Sequence, residues 1–195
     1  MKRLSPAPKR ESVKSKVPAY KNAALPAAKR TRDLLSRMTL QEKAAQMVCV
    51  WQQKAQKLVD ADGNFDEAKA KAAFKDRCGV GQVGRPSDAG KGQDARGMAT
   101  LTNAIQKFFL ENTRLGIPVM FHEECLHGHA APGGTSFSQP IGLGATFNPA
   151  LVHELFTMTA LEARLRGTHQ ALTPVVDVAR DPRWGRVEET YGEDP

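Results

Sequence analysis

The chain has 195 residues, 41% of them hydrophobic and 25% charged, with a formal net charge of +7 at pH 7. That length suits one domain with a real core, and the composition is that of a globular protein. No apolar run approaches the roughly 20 residues that a helix needs to cross a membrane, so no membrane partner is expected.

The positive charge lies mostly at the N-terminal end. Residues 1–43 hold twelve of the 28 Lys and Arg residues but three of the 21 acids. Residues 1–22 mix Lys, Ser and Pro without periodicity and are read as a flexible basic tail. A nucleic-acid arm is the competing reading. It lacks support, because no aromatic stands among Lys2–Lys16 to stack on a base, and no nucleic-acid partner is expected. Pro6, Pro8, Lys9 and Arg10 occupy the place of the apolar core of a secretory leader, so none is recognisable and a cytoplasmic location is the default. Cys49, Cys78 and Cys125 are odd in number and lack C-x-x-C spacing, which points to free thiols rather than a disulfide framework.

Residues 23–195 are read as one domain. Leu34, Leu35 and Met38, then Ala44, Ala45 and Met47, recur at helical spacing. Thr39 and Glu42 fit a capping box, so two helices are expected to meet near Met38–Thr39, the second running toward Val50. Asp62-Gly63-Asn64 reads as a turn, and Asp66 to Phe74 as a helix. Gly79-Val80-Gly81-Gln82-Val83-Gly84 has the form G-x-G-x-x-G. However, it follows a helical pattern and precedes Arg85-Pro86, the reverse of a dinucleotide site. A short buried strand from Val80 to Val83, with glycines where backbones pack closely, is the better reading.

Met98, Leu101, Ile105, Phe108 and Phe109 mark a helix over 94–113. Val119 to Phe121 reads as a strand and 122–147 as a long, functional loop. Asn148-Pro149 starts a helix that ends at Gly167. Ala171 to Val176 reads as a strand, followed by a charged loop. The final Gly-Glu-Asp-Pro reads as the cap and first residue of a further helix. This alternation of helix and strand implies an α/β fold with mainly parallel strands, three of them visible.

Two stretches are rich in chemistry. In His122-Glu123-Glu124-Cys125-Leu126-His127-Gly128-His129 the second His stands at i+5. The zinc motif H-E-x-x-H needs i+4, so no metal is assigned and the side chains are expected to line a polar pocket. The terminal loop carries Asp177, Arg180, Asp181, Arg183, Arg186, Glu188, Glu189, Glu193 and Asp194. Paired carboxylates could serve general acid/base chemistry. Charges of both signs at this density point instead to internal salt bridges, a role assigned to Asp177, Asp181 and Glu188. Trp184 suits either a packing anchor or a sugar-stacking platform.

Four blocks, covering about residues 20–195, resemble the N-terminal domain of glycoside hydrolase family 3, the β-glucosidase and β-xylosidase type. They are residues 33–43, Glu124-Cys125-Leu126-His127-Gly128, residues 135–147, and Asp181-Pro182-Arg183-Trp184-Gly185-Arg186 with its continuation to Pro195. The resemblance implies a (β/α)8 TIM-type barrel, here incomplete, with about its first three strands and their helices. It implies a retaining, exo-acting β-glycosidase that hydrolyses terminal β-D-glucosides in carbohydrate catabolism, without cofactor or metal. It casts Glu124, where many members have Asp, and Arg186 as holders of the non-reducing sugar. His127, Trp184 and Glu188 are cast as pocket supports. The family's sugar-binding Lys-His pair, nucleophilic Asp and acid/base Glu match no position here. No catalytic residue is therefore assigned, and the 195 residues alone are expected to be inactive without the remainder of the enzyme. The alternatives are a non-catalytic carbohydrate- or partner-binding remnant and β-xylosidase specificity in the parent enzyme, which could be periplasmic or secreted.

Overall fold

The computed structural model describes residues 17–194. Most of the basic tail, residues 1–16, and the terminal Pro195 lie outside them. The described residues fall into two units, divided between Thr39 and Leu40.

In the first unit, Ala19–Lys21 forms a 3-10 turn and Ala27–Arg37 forms helix α1. The turn lies inside the segment read as a tail. Its Tyr20 N–H donates to the Asp33 carboxylate at 2.9 Å, and Arg30 Nε donates to the Tyr20 carbonyl at 3.1 Å. Order therefore begins before residue 23, because α1 supplies polar partners for the turn. Pro26 stands at the N-cap of α1, where its missing N–H costs nothing.

The second unit is an α/β layer structure. Its elements are α2 (Leu40–Ala45), β1 (Cys49–Val50), α3 (Lys54–Lys57), α4 (Glu67–Ala73), β2 (Gln82–Gly84), α5 (Ala95–Asn112), β3 (Met120–Glu124), α6 (Pro140–Gly144), α7 (Pro149–Leu165) and β4 (Gln170–Leu172). The strands form one parallel sheet in the order β1-β2-β3-β4. Among the described residues four strands are present where three were expected. The missed one is β1: the helix expected to run toward Val50 stops at Ala45, and Cys49 and Val50 pair with Gln82 and Val83. The Gly81 amide, bonded to the carbonyls of Ala45 (3.0 Å) and Val48 (3.2 Å), holds the chain at this change of direction. A Cβ on Gly81 would run into the Gln46 carbonyl, so the close backbone approach expected of these glycines is real. The second strand, Gln82–Gly84, begins two residues later than Val80 and ends one later than Val83. The Glu42 carboxylate accepts from Arg114, which follows α5.

The α5 and α7 helices follow their sequence signals closely. Asp94 caps α5, accepting from the Gly97 N–H at 2.7 Å, and Asn148 caps α7, accepting from Leu151 N–H at 3.1 Å. The α5 face carrying Leu101, Ile105, Phe108 and Phe109 packs with Val50, Val83 and Phe121 from three successive strands. Side chains alternate along a strand. Phe121 and Glu123 thus face the helices, and Met120, His122 and Glu124 face the other side of the sheet. The segment 122–147 is not one loop: β3 continues through Glu124, and α6 lies within it. The β4 strand is shorter than Ala171 to Val176, ending at Leu172. Pro174 soon after has no N–H for a ladder.

Candidate substrate-binding site

The carboxyl ends of parallel strands are where α/β folds gather functional groups. Here they present Trp51 after β1, Arg85 after β2, Glu123 and Glu124 at the end of β3, and the charged loop 173–194 after β4.

Glu124 is half-buried, and its side chain makes no hydrogen bond or ion pair among the described residues. A partly enclosed carboxylate without a partner can accept hydrogen bonds from a ligand. Arg186, on the charged loop, donates from Nε to both oxygens of Glu189, at 3.0 Å each. Hydrogen bonding and charge from Glu189, and then the charges of Asp177 and Glu124, hold the Arg186 guanidinium above its ordinary range, with burial opposing. Glu124 and Arg186 are thus within electrostatic reach of each other.

The remaining expected site residues are placed less uniformly. His127 is half-buried, its Nδ1 is enclosed without a hydrogen-bond partner, and its carbonyl accepts from the Phe137 N–H at 2.8 Å. Trp184 is 40% exposed in a 3-10 turn over Pro182–Trp184, and Glu188 is exposed. Neither side chain makes a hydrogen bond, ion pair or ring contact among the described residues. Of the three acids assigned to loop salt bridges, Asp181 pairs with Arg183 at 2.7 Å. Asp177 and Glu188 form no such pair among the described residues.

Two networks behind and beside Glu124 were not foreseen. Glu123, one residue away but on the opposite face, is fully buried. Its carboxylate accepts from the Ser87 N–H at 2.8 Å and from the Ser87 hydroxyl at 2.6 Å. The Nε2 of buried His129 lies 3.7 Å away. On the Glu124 face, His122 Nδ1 lies 3.0 Å from Gln82 Oε1, and the His122 ring meets Trp51 edge-on at 6.2 Å. Burial holds the His122 imidazole below its ordinary range, and the Lys54 and Arg85 charges push the same way against Glu123 and Glu124. Because His122 and Glu123 point to opposite faces of β3, they cannot share one metal ion. These contacts join residues tens of positions apart, and no spacing rule announces them. The loop over 130–135 is fastened from behind by α7. Arg166 donates to the carbonyls of Pro132 (3.0 Å) and Gly133 (2.7 Å), and Glu162 accepts from the Thr135 N–H at 3.1 Å.

Comparison with known proteins agrees with this layout. The pattern of the glycosyl hydrolase family 3 N terminal domain matches residues 39–195. The chain is 34% identical over 188 residues to the periplasmic beta-glucosidase/beta-xylosidase of Dickeya chrysanthemi, covering 92% of this chain and 28% of that protein. It superposes on the β-glucosidase EmGH1 of Erythrobacter marinus with a TM-score of 0.77 and 36% identity, covering 92% of this chain and 22% of that one. A β-glucosidase of Listeria innocua in complex with glucose gives a TM-score of 0.64 and 31% identity, over 85% of this chain and 21% of that one. The chain thus spans between about a fifth and somewhat over a quarter of the length of these relatives. Its four-stranded parallel sheet is part of a (β/α)8 barrel, and the chain belongs to glycosyl hydrolase family 3.

Proposed function

We propose that this chain supplies the sugar-holding part of a retaining, exo-acting β-glycosidase that removes terminal β-D-glucosyl residues in carbohydrate catabolism. The reading rests on Glu124, a half-buried carboxylate without a hydrogen-bond partner among the described residues, whose charge reaches the Arg186 guanidinium. A carboxylate can accept from two sugar hydroxyls and a guanidinium can donate to two, and charge-assisted bonds are the stronger kind. Relatives named as β-glucosidases favour glucose; β-xylosides are the second reading, since one relative carries both names.

Retaining hydrolysis needs a carboxylate that attacks the anomeric carbon and an acid that protonates the departing oxygen. The same group then takes a proton from water as the glycosyl ester is cleaved. We assign neither role within these 195 residues. They hold and orient the terminal ring, and the chemistry belongs to a longer polypeptide carrying them. That enzyme works in the periplasm or outside the cell, in keeping with the Dickeya relative's name. No helix among the described residues is long and apolar enough to cross a membrane.

The test pairs binding with turnover. The longer enzyme is expected to hydrolyse an aryl β-D-glucoside, with Glu124→Ala and Arg186→Ala each raising KM at least tenfold. The 195-residue chain is expected to show no titratable turnover. Hydrolysis by the short chain would overturn the division of labour. An unchanged KM in both variants would overturn the assigned sugar position. A longer protein that binds glucose but never hydrolyses a glycoside would favour a carbohydrate-binding remnant.

A further inference from the structure

One group of residues beside this position is unused by the reading above. Lys54 is almost fully buried, and its ammonium has three partners: the carbonyls of Trp51 (2.9 Å) and Gly84 (2.8 Å) and the carboxylate of Asp88 (2.8 Å). Burying a charge is costly unless it is paired and hydrogen-bonded. Here the satisfied ammonium ties the carboxyl end of β1 to that of β2.

What it fixes is Trp51. The indole Nε1 lies 3.4 Å from the second oxygen of Asp88, and the ring meets His122 edge-on. Gly84 makes that meeting possible, since a Cβ there would fall 2.5 Å from His122 Nε2 and 3.1 Å from Trp51 Cβ. Trp51 is therefore an aromatic side chain locked by three neighbours, half-exposed at the mouth of the sheet, on the Glu124 side.

Next to it stands Arg85. Its backbone is left-handed, with φ 46° and ψ 62°, although it is not glycine. A non-glycine residue in that region costs energy, and such outliers gather at functional sites. The conformation lets the Arg85 N–H bond the His122 carbonyl at 2.8 Å, and the side chain leaves the strand's alternation. Its guanidinium makes one long ion contact, 3.7 Å to Asp88, and donates no hydrogen bond among the described residues.

We propose that Trp51 and Arg85 form a second sugar position, for the ring on the leaving-group side of the bond to be cut. This rests on Glu124 and Arg186 holding the terminal ring. Strands in a sheet lie about 4.8 Å apart, so the backbone of Trp51, just after β1, stands roughly 10 Å across the sheet from that of β3. Its indole spans part of that gap to meet His122, two residues before Glu124, and so sits beside the terminal ring's position, where a second ring would lie. The indole offers a flat apolar face to the ring's C–H face, and Arg85 offers free N–H donors to its hydroxyls. The chain thus contributes to choosing a disaccharide over a glucoside with a small alcohol.

The experiment measures binding of glucose and of thiocellobiose, the uncleavable sulfur-linked disaccharide, to the longer enzyme and its variants. Trp51→Ala and Arg85→Ala are each expected to weaken thiocellobiose about tenfold and to leave glucose within twofold. Trp51→Phe, which keeps an aromatic face and controls for folding, is expected to recover most of the loss. Thiocellobiose affinity unchanged in both alanine variants would overturn the proposal, as would an equal loss for glucose. If glucose binding is unaffected by Glu124→Ala while Trp51→Ala still weakens the disaccharide selectively, the terminal position fails and the aromatic one stands.

Discussion

Arg186 is held by Glu189 and not by Glu188: its Nε sits 3.0 Å from both Glu189 oxygens, while Glu188 points to solvent. The two acids are neighbours in sequence, but the 3-10 turn over Val187–Glu189 turns them to different sides. If Arg186 binds sugar, the partner that orients it is Glu189. Glu189→Ala should raise KM several-fold with little change in kcat, and Glu188→Ala should leave both within twofold. A larger effect at Glu188 would contradict the arrangement.

Glu123 makes a different prediction, about stability. Its buried carboxylate accepts two hydrogen bonds from Ser87. Glu123→Ala leaves a buried N–H without a partner, and that should cost about 1–3 kcal/mol. Denaturant unfolding should show the lower midpoint, and Ser87→Ala should lose less, since its N–H remains. Equal midpoints for wild type and Glu123→Ala would show that the cluster carries no stability.

Acid should weaken the fold through two histidines. Burial is the main cause holding His122 and His169 below their ordinary range. His169 Nδ1 also accepts the Phe121 N–H at 3.1 Å, a bond that protonation removes. With folded values below the unfolded value of about 6.5, the unfolded state binds more protons in between. Their stabilisation is therefore full above about pH 6.5 and is lost as pH falls through the folded values. Tm should be higher at pH 7.5 than at pH 5.5, and less so in His169→Gln. A flat profile in wild type would refute this.

The cysteines should differ in reactivity. Burial, and then the charges of Glu123 and Glu124, push the Cys125 thiol up to about 12. Burial raises the Cys49 thiol as well, but Cys49 is exposed on edge strand β1, where reagent reaches it. Iodoacetamide at pH 8 should label Cys49 readily in the native protein and leave Cys125 unmodified until denaturant is added. Native labelling at Cys125 would show that its loop opens.

The parts that were legible in the sequence share a physical reason. In α5, five apolar residues recur at helical spacing between an Asp cap and a Gly-Ile-Pro break, and α7 has Asn-Pro at one end and Gly at the other. Local rules suffice there. In β1 they do not, because two residues cannot display an alternation, and the apolar run before them continues a helical pattern. Likewise α6 hides behind Gly142 and Gly144, poor helix formers. At the site, the blocks around Glu124 and Arg186 were readable as a resemblance. Ser87–Glu123 and Lys54–Asp88 were not, since such pairs exist only after strands far apart in sequence have met.

The sheet order has a consequence for how the chain acquires its shape. Each strand pairs with its immediate predecessor, through the registers Cys49–Gln82, Gln82–Met120 and His122–Gln170. Among these four strands, none waits for a partner made much later. Parallel pairing is slow when the loop to be closed is long, and here every closure spans a single crossover. A ribosome delivering the chain from its N-terminus would release each strand beside an edge already in place. Trp51, Arg85, Glu124 and Arg186 would then arrive at the mouth of the sheet in the order of their codons.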